Sequence, residues 1–214
     1  MKIYILAACA LLTALQTGCV VGRRTVALPV PSMGSAEVTK GDLYIGNIAD
    51  NRHFENKPSD PSVPSIDGDV STLTPAARAS MIGRQRNAYG HAMGDVALPG
   101  DQNVIERTKA LVAEAFKHRG YKIVTDSSAS TSVTVSIDQF WGWFTPGFAS
   151  VSFEARVYCT LTLKRPDKEG TIVIKGYGIN RGQIASDENW ALAYNRAFLD
   201  FLEKARGEID RAGF

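Results

Sequence analysis

Residues 151–163, VSFEARVYCTLTL, alternate apolar and polar side chains without interruption. Successive side chains of a β-strand point to opposite faces of a sheet, so this pattern predicts a strand with one buried and one wet face. Residues 133–138 alternate in the same way, and the turn sequence PDKEG at 166–170 predicts a hairpin into a further strand at 172–177. Strands with one wet face are typical of an antiparallel sheet.

Two amphipathic helices are predicted on either side of these strands. Residues 101–119 carry one apolar stripe and end before Gly120, and a second helix with a wide apolar stripe begins after Ser186. Shorter strands are expected at 40–50 and 121–124. Together the elements predict an α+β two-layer domain, an antiparallel sheet of four or five strands with two main helices packed on one face.

A long loop is predicted at about 51–100. It contains Pro58, Pro61 and Pro64, followed by Thr74-Pro75, which is a typical helix start. We therefore expect a short helix over 76–86 and an irregular glycine-rich stretch over 87–95. Loops of this length are usually functional or disordered.

The N-terminus has the pattern of a secretory signal. Lys2 precedes an uncharged run at 3–15, which as a helix would span about 20 Å, against a hydrocarbon core of about 30 Å. A short basic start, a short apolar core and a small-residue exit predict a signal peptide over residues 1–18.

The exit of the signal, Leu15-Gln16-Thr17-Gly18-Cys19, resembles the lipobox of bacterial lipoproteins. The resemblance implies cleavage before Cys19 and attachment of a lipid to that cysteine, which would anchor the chain to a membrane. Residues 19–36 would then be a flexible tether and residues 37–214 a single domain. Val20, rather than Asp, after the cysteine implies the outer membrane, with the domain in the periplasm. The alternative is an ordinary cleaved signal and a soluble periplasmic protein.

The order of parts resembles the YajG-type family of uncharacterised bacterial lipoproteins. The shared features are the lipobox, a first strand with Asn-x-x-Asp at 47–50, a long loop, and Arg119-Gly120-Tyr121 before a short strand. The stretch IGRQRN at 82–87 is similar to related lipoproteins. The resemblance implies an envelope location and a fold, and it implies no catalytic residue.

Composition excludes few classes of protein. The formal net charge of +2 over 214 residues makes no electrostatic case for nucleic acid binding. Cys159 would be the one thiol left after cleavage and acylation, and its place on the apolar side of a strand predicts a buried, inert group.

Motifs for catalysis are not found in the sequence. HExxH, GxSxG, Walker and CxxC patterns do not occur, so we expect no catalytic residue, metal or cofactor. His91, four residues before Asp95, could form a His–Asp pair, which keeps a hydrolase as a third hypothesis.

Two groups of residues are candidates for contact with a partner. Arg84 and Arg86 in the predicted short helix form either a solvated face or a site for lipid phosphate or an acidic protein. Trp141, Trp143 and Phe144 lie in an aromatic segment at 140–148 that either packs under the long loop or forms an exposed patch.

The sequence thus predicts a non-enzymatic outer-membrane lipoprotein. Its periplasmic domain would act through contacts with an envelope protein, in envelope assembly or maintenance. The alternative is a periplasmic module that binds a small ligand or a lipid, in an apolar pocket between the long loop and the sheet.

Overall fold

The computed structural model describes residues 22–87, 89–146, 150–182 and 186–214. The predicted signal peptide and Cys19 lie outside the described residues. Within these ranges the chain forms one strongly curled, mixed sheet of eight strands together with three α-helices. The strands are β1 Arg24–Thr25, β2 Gly41–Asp50, β3 Met81–Arg86, β4 Ala92–Ala97, β5 Tyr121–Val124, β6 Thr131–Pro146, β7 Val151–Arg165 and β8 Lys168–Gly182. The helices are α1 Pro75–Ser80, α2 Val104–Lys117 and α3 Asp187–Arg211, and a 3-10 turn covers Val70–Thr72.

Strand β6 is the centre of the sheet. Along one edge it pairs antiparallel with β7, which pairs in turn with β8. Along its other edge it pairs parallel with β2 at its start and with β3 near its end. β5 lies outside β2, β4 pairs antiparallel with β3, and β1 pairs parallel with β4. The sheet is therefore split on one side of β6 into two branches.

The predicted antiparallel sheet of four or five strands in a two-layer sandwich is wrong. The sheet has eight strands, and four of its pairings are parallel. The predicted burial of alternate side chains is confirmed at 133–138 in β6 and along β7. Alternation does not specify the direction of the neighbouring strand, because it depends on burial alone.

The predicted helix over 76–86 and the irregular stretch after it are also corrected. Helix α1 ends at Ser80, and the next six residues form β3. Residues from Ala92 onward form β4, so the stretch predicted to be irregular is a β-hairpin. Gly83 allows β3 to pair closely with β6. A Cβ at this position would lie only 2.6 Å from the backbone oxygen of Gly142.

The long helices pack on the inner face of the sheet. Both contribute to one large apolar cluster with the alternate side chains of β6, β7 and β8. Asn103 and Ser186 cap the helix starts with their side-chain oxygens, which accept hydrogen bonds from backbone N–H groups. The core lies between these helices and the sheet.

A second, smaller apolar cluster lies on the opposite face of the sheet. The side chains of Trp141 and Trp143 project there, because a register shift between Ile137 and Gln139 changes the alternation of β6. The ring of Phe54 packs edge-on against that of Trp141, with the ring centroids 5.8 Å apart. Phe54 belongs to the segment at 51–73, which covers Trp141 and Trp143. The predicted long loop is therefore, in its first part, a packed cover.

The segment predicted to be a flexible tether is partly folded. Arg24–Thr25 pairs with β4, and the side chains of Val26 and Leu28 are 2% and 1% exposed. Ser32 and Met33 donate hydrogen bonds to Glu114 of α2. Residues from about 22 onward therefore belong to the domain.

Candidate functional site

A cleft lies between the covering segment and the far end of the sheet. Its volume is about 820 Å³, and three parts of the chain form its walls: the covering segment, the β3–β4 hairpin, and the end of β6. The lining residues that carry charge or aromatic rings are Lys57, Asp67, Arg84, Arg86, Tyr89, His91 and Phe144. Four of the residues proposed from the sequence as partner contacts or as a base thus meet in one cleft: Arg84, Arg86, His91 and Phe144. The sequence predicted an apolar pocket between the long loop and the sheet, whereas this cleft has polar walls.

Arg84 is the buried cation of the cleft. Only 6% of the residue is exposed, and its Nη2 donates to Asp67 Oδ1 at 3.2 Å, while Nη1 lies 3.6 Å from Asp95 Oδ1. Its Nε is buried without a hydrogen-bond partner. Buried polar groups are normally paired, and Arg84 Nε and Ser65 Oγ are two exceptions among the residues that line the cleft.

Asp95 is the carboxylate behind the cleft. It is buried on β4 and accepts a hydrogen bond of 3.0 Å from the backbone N–H of Asp67. Burial raises the pKa of Asp95, against the opposing effect of Arg84. Because both groups are buried, solvent screens the attraction between Asp95 and Arg84 less than it screens an exposed pair.

Arg86 joins the hairpin to the covering segment. Its Nη1 donates to the backbone oxygen of Pro58 at 3.0 Å and to that of Gly90 at 3.3 Å. Burial, and then the charge of Arg84, lower the pKa of Arg86. Two guanidinium groups held close together repel each other, and an anion placed between them would relieve that repulsion.

The cover over the cleft is held by polar contacts as well as by aromatic packing. Trp141 Nε1 donates to the backbone oxygen of Pro61 at 3.2 Å, and Arg156 donates to Ser62 Oγ at 3.1 Å. Trp141 and Trp143 are buried, so the packing alternative left open by the sequence is the one observed. Phe144 is partly buried and is the member of this aromatic group that lines the cleft.

Arg52 lies where the sheet divides, between the end of β2 and the start of β3, and the covering segment begins next to it. The side chain is fully buried and forms two hydrogen bonds of 2.7 Å with Asp50. It also donates to the backbone oxygens of Arg78, Met81 and Phe140. Arg52 is not among the residues predicted from the sequence. The charged residues at the end of a predicted buried strand, Asp50-Asn51-Arg52, were the signal that could have found it.

Cys159 and His91, the two side chains whose reactivity was considered from the sequence, occupy different parts of the structure. Cys159 is fully buried on β7, and burial raises the pKa of its thiol. His91 is exposed at the rim, while Asp95 is engaged by Arg84 and Asp67, so the suggested His–Asp pair does not describe the role of Asp95.

No metal-binding group of three or more His, Cys, Asp or Glu side chains occurs in the ranges that the structure describes. Among the helices in those same ranges, none is both long enough and apolar enough to cross a membrane.

Three solved structures with a distant likeness to this chain can be compared with it. No family model matches the sequence, and no curated protein matches it. A crystal structure from Xanthomonas campestris, of a protein in a family of unknown function, has a TM-score of 0.44 at 10% identity, covering 88% of this chain and 98% of that one. A hypothetical protein from Chlamydia trachomatis has a TM-score of 0.41 at 9% identity, covering 80% and 98%. A further uncharacterised protein has a TM-score of 0.32 at 11% identity, covering 90% and 97%.

These solved structures are uncharacterised proteins, and at such scores they carry no argument about the function of this chain. They do not confirm the resemblance to YajG-type lipoproteins.

Proposed function

We propose that this chain is a non-enzymatic lipoprotein of the bacterial envelope, of the YajG type, that binds an anionic ligand in the arginine-lined cleft. A lipid on Cys19 would anchor it to the outer membrane, with the domain facing the periplasm. The observation that carries the binding role is the cleft itself, in which Arg84 and Arg86 lie side by side under the covering segment.

The charges of the lining support an anionic ligand. Lys57, Arg84 and Arg86 are the cations of the lining, and Asp67 is its one carboxylate. Asp95 lies behind the lining, 3.6 Å from Arg84. An anion would accept hydrogen bonds from guanidinium groups that are already held in place, which lowers the entropy cost of binding. The ligand-binding alternative is favoured over the protein-contact alternative, because Trp141 and Trp143, the two tryptophans that could have formed an exposed patch for a protein partner, are buried.

A role through contact with an envelope protein is the second candidate. Leu192 and Leu199 are exposed on α3, beside a groove lined by Leu28, Pro29, Ala191 and Phe198. Exposed apolar surface next to a groove is typical of protein interfaces. Crosslinking in intact cells from position 192 would favour this candidate if it recovered one defined envelope protein.

Inorganic phosphate is a suitable probe of the cleft. We expect phosphate at ten times its dissociation constant to stabilise the detergent-solubilised protein by about 1.4 kcal/mol relative to chloride at equal ionic strength. For a chain of this size that is a rise in Tm of about 3–5 °C. Thermal unfolding followed by circular dichroism measures the shift.

Substitutions in the cleft supply the controls. Arg86→Gln and Lys57→Gln should remove the stabilisation by phosphate, whereas Arg206→Gln, an exposed arginine far along α3, should keep it. Lys57 is exposed, so its substitution tests the site even if Arg86→Gln weakens folding. Equal stabilisation of all variants would contradict a specific anion site.

A further inference from the structure

The connection between Cys19 and the folded domain is short. The backbone N–H of Gly22 donates to the backbone oxygen of Met93 at 3.0 Å, so the chain is attached to the start of β4 at that point. A Cβ on Gly94 would lie 2.0 Å from the Gly22 oxygen, which shows how tightly the two segments pack. Cys19 precedes Gly22 by three residues. Even a fully extended chain covers no more than about 11 Å over three residues.

The same end of the domain carries the cleft. His91 and Ala92 line it, and Met93, which holds Gly22, follows them directly. Arg23 lies 3.9 Å from Asp95, whose other carboxylate oxygen faces Arg84. A lipid on Cys19 would therefore bring the mouth of the cleft to within roughly one to two Debye lengths of the membrane surface, where charges on protein and lipid still interact.

We propose that the cleft mouth and the tip of the β3–β4 hairpin form a docking surface for anionic phospholipid headgroups of the membrane that holds the anchor. This inference rests on the proposed function, because it takes the Cys19 lipid and the anion-binding cleft as given. It names the ligand as the phosphate group of a membrane lipid rather than a soluble anion. The short reach from Cys19 favours the membrane, since a three-residue connection keeps the domain at the surface.

The charges at this end fit such a surface. The side chain of Arg23 is 62% exposed, and Lys57 is also exposed. Asp60 and Asp67 oppose them, and the hydrogen bond of 2.8 Å that Asp60 accepts from Ser62 N–H lowers the pKa of that carboxyl. Arg84 and Arg86 are the further cations on this side of the domain. Each lysine or arginine near an anionic bilayer contributes about a fivefold increase in binding.

Tyr89 supplies an aromatic group at the hairpin tip. It is 87% exposed, an unusual position for a large ring in a soluble domain. Asn87 Oδ1 accepts hydrogen bonds of 2.9 Å from the N–H groups of Tyr89 and His91, which fixes the turn and holds the ring away from the sheet. Tyrosine is enriched at the headgroup level of membranes, because the ring is apolar and the hydroxyl is polar.

Hydrogen exchange of the mature, acylated protein in vesicles tests the proposal. Amide exchange of the hairpin peptide, residues 84–94, is compared in phosphatidylcholine vesicles and in vesicles with about one third phosphatidylglycerol. We expect exchange about fivefold slower in the anionic vesicles, because each bound headgroup reduces the time for which the hairpin is open to solvent. Lys57→Gln and Tyr89→Ser should each remove most of this difference, whereas Arg206→Gln should leave it unchanged.

The outcomes separate the inference from the function on which it rests. Equal exchange in both kinds of vesicle, in protein whose intact mass shows the acyl chains, would overturn the docking surface and leave the anchor standing. Slowing by inorganic phosphate alone, without an effect of anionic vesicles, would overturn it in favour of a soluble anion. Protein without acyl mass that does not float with vesicles would overturn the anchor, and the inference with it.

Discussion

Arg52 illustrates how a single side chain can hold a branched sheet together. β2 leaves the edge of β6 at Asp50, and β3 joins the same edge further along, so the backbone oxygen of Phe140 lies between the two branches. The Arg52 guanidinium donates to that oxygen at 3.0 Å and to the backbone oxygen of Met81 at 2.6 Å. Backbone acceptors in such a gap would otherwise be buried without a partner, which costs about 1–3 kcal/mol for each group.

Arg52→Ala should therefore destabilise the protein by about 3–5 kcal/mol, because it leaves the Asp50 carboxylate and several carbonyl groups without their donor. Arg52→Lys should be intermediate, since an ammonium group keeps the charge but cannot reproduce the planar fork. Urea unfolding followed by circular dichroism measures both variants. Arg206→Ala is the exposed control, with an expected change within about 0.5 kcal/mol. A loss below about 1 kcal/mol for Arg52→Ala would contradict this role.

The close packing of helix α3 on strand β8 depends on glycine residues in the strand. Gly176 and Gly178 lie on the inner face of β8, where the helix backbone comes closest to the sheet. A Cβ on Gly178 would lie 2.1 Å from the backbone oxygen of Ala193 and 2.4 Å from the backbone nitrogen of Ala197. Because backbone atoms cannot move aside as a flexible side chain can, this packing requires glycine on the strand and alanine on the helix.

Gly178→Ala should thus cost about 1–3 kcal/mol or more of stability through overpacking against α3. Gly207→Ala, in helix α3 itself, offers a matched control, because the nearest atom to its Cβ would be Arg211 Nη2, at an ordinary 3.6 Å. That substitution should stabilise by about 0.5–1 kcal/mol, since alanine is a better helix former. The two changes in urea midpoint are expected to have opposite signs, and a shared sign would contradict the close-packing account.

At the level of the whole molecule, the first residues of the domain would determine which end faces a membrane if Cys19 carried a lipid. β1 adds to the sheet edge at β4, and Arg24 also pairs with Asp187 at the start of α3. The N-terminal segment, the hairpin and the start of the long helix therefore meet at one end. A lipid on Cys19 would present that end, rather than the far end of α3, to the membrane surface. Arg206 lies about 29 Å further along the helix axis from Asp187, which is why it serves as the distant control.

The anchor itself is tested in cells. Cys19→Ser should abolish incorporation of labelled palmitate and release the protein from the membrane fraction, because the lipid supplies about 0.8 kcal/mol per buried methylene. Cys9→Ser should keep both properties, since Cys9 lies within the predicted signal. Palmitate labelling that persists in the Cys19→Ser protein would contradict the assignment of the anchor to this cysteine.

Several elements could be predicted because local patterns carry them. The short strand at Tyr121–Val124 is confirmed, and β7 and the two long helices are confirmed within a few residues of their ends. Their apolar periods and capping residues act over one element at a time. The same local reading failed for residues 81–86, where arginines and glutamine suit a helix surface and a strand equally well. Pairing of Gly83 with Gly142 resolved that ambiguity.

The candidate site was only partly accessible to the same reasoning. The charge of Arg84 and Arg86 makes them candidates from the sequence, on a helix that forms either a solvated face or a contact site, whereas Arg84 is buried on a strand. Lys57 and Tyr89 were not selected, because nothing local distinguishes an exposed lysine or tyrosine that borders a cleft. Their proximity to the arginines depends on the covering segment folding back over the sheet.

Local patterns in the sequence predict which faces are buried, where the long helices begin, and that the chain carries a signal-like start before Cys19. These properties follow from side-chain periodicity and from composition, which act over short distances along the chain. The mixed, branched sheet is visible in the tertiary structure alone, as is the cleft in which three distant segments bring the arginines together. The tertiary structure also shows that Gly22 is attached beside that cleft. These features depend on contacts between residues far apart in sequence, which no local pattern encodes.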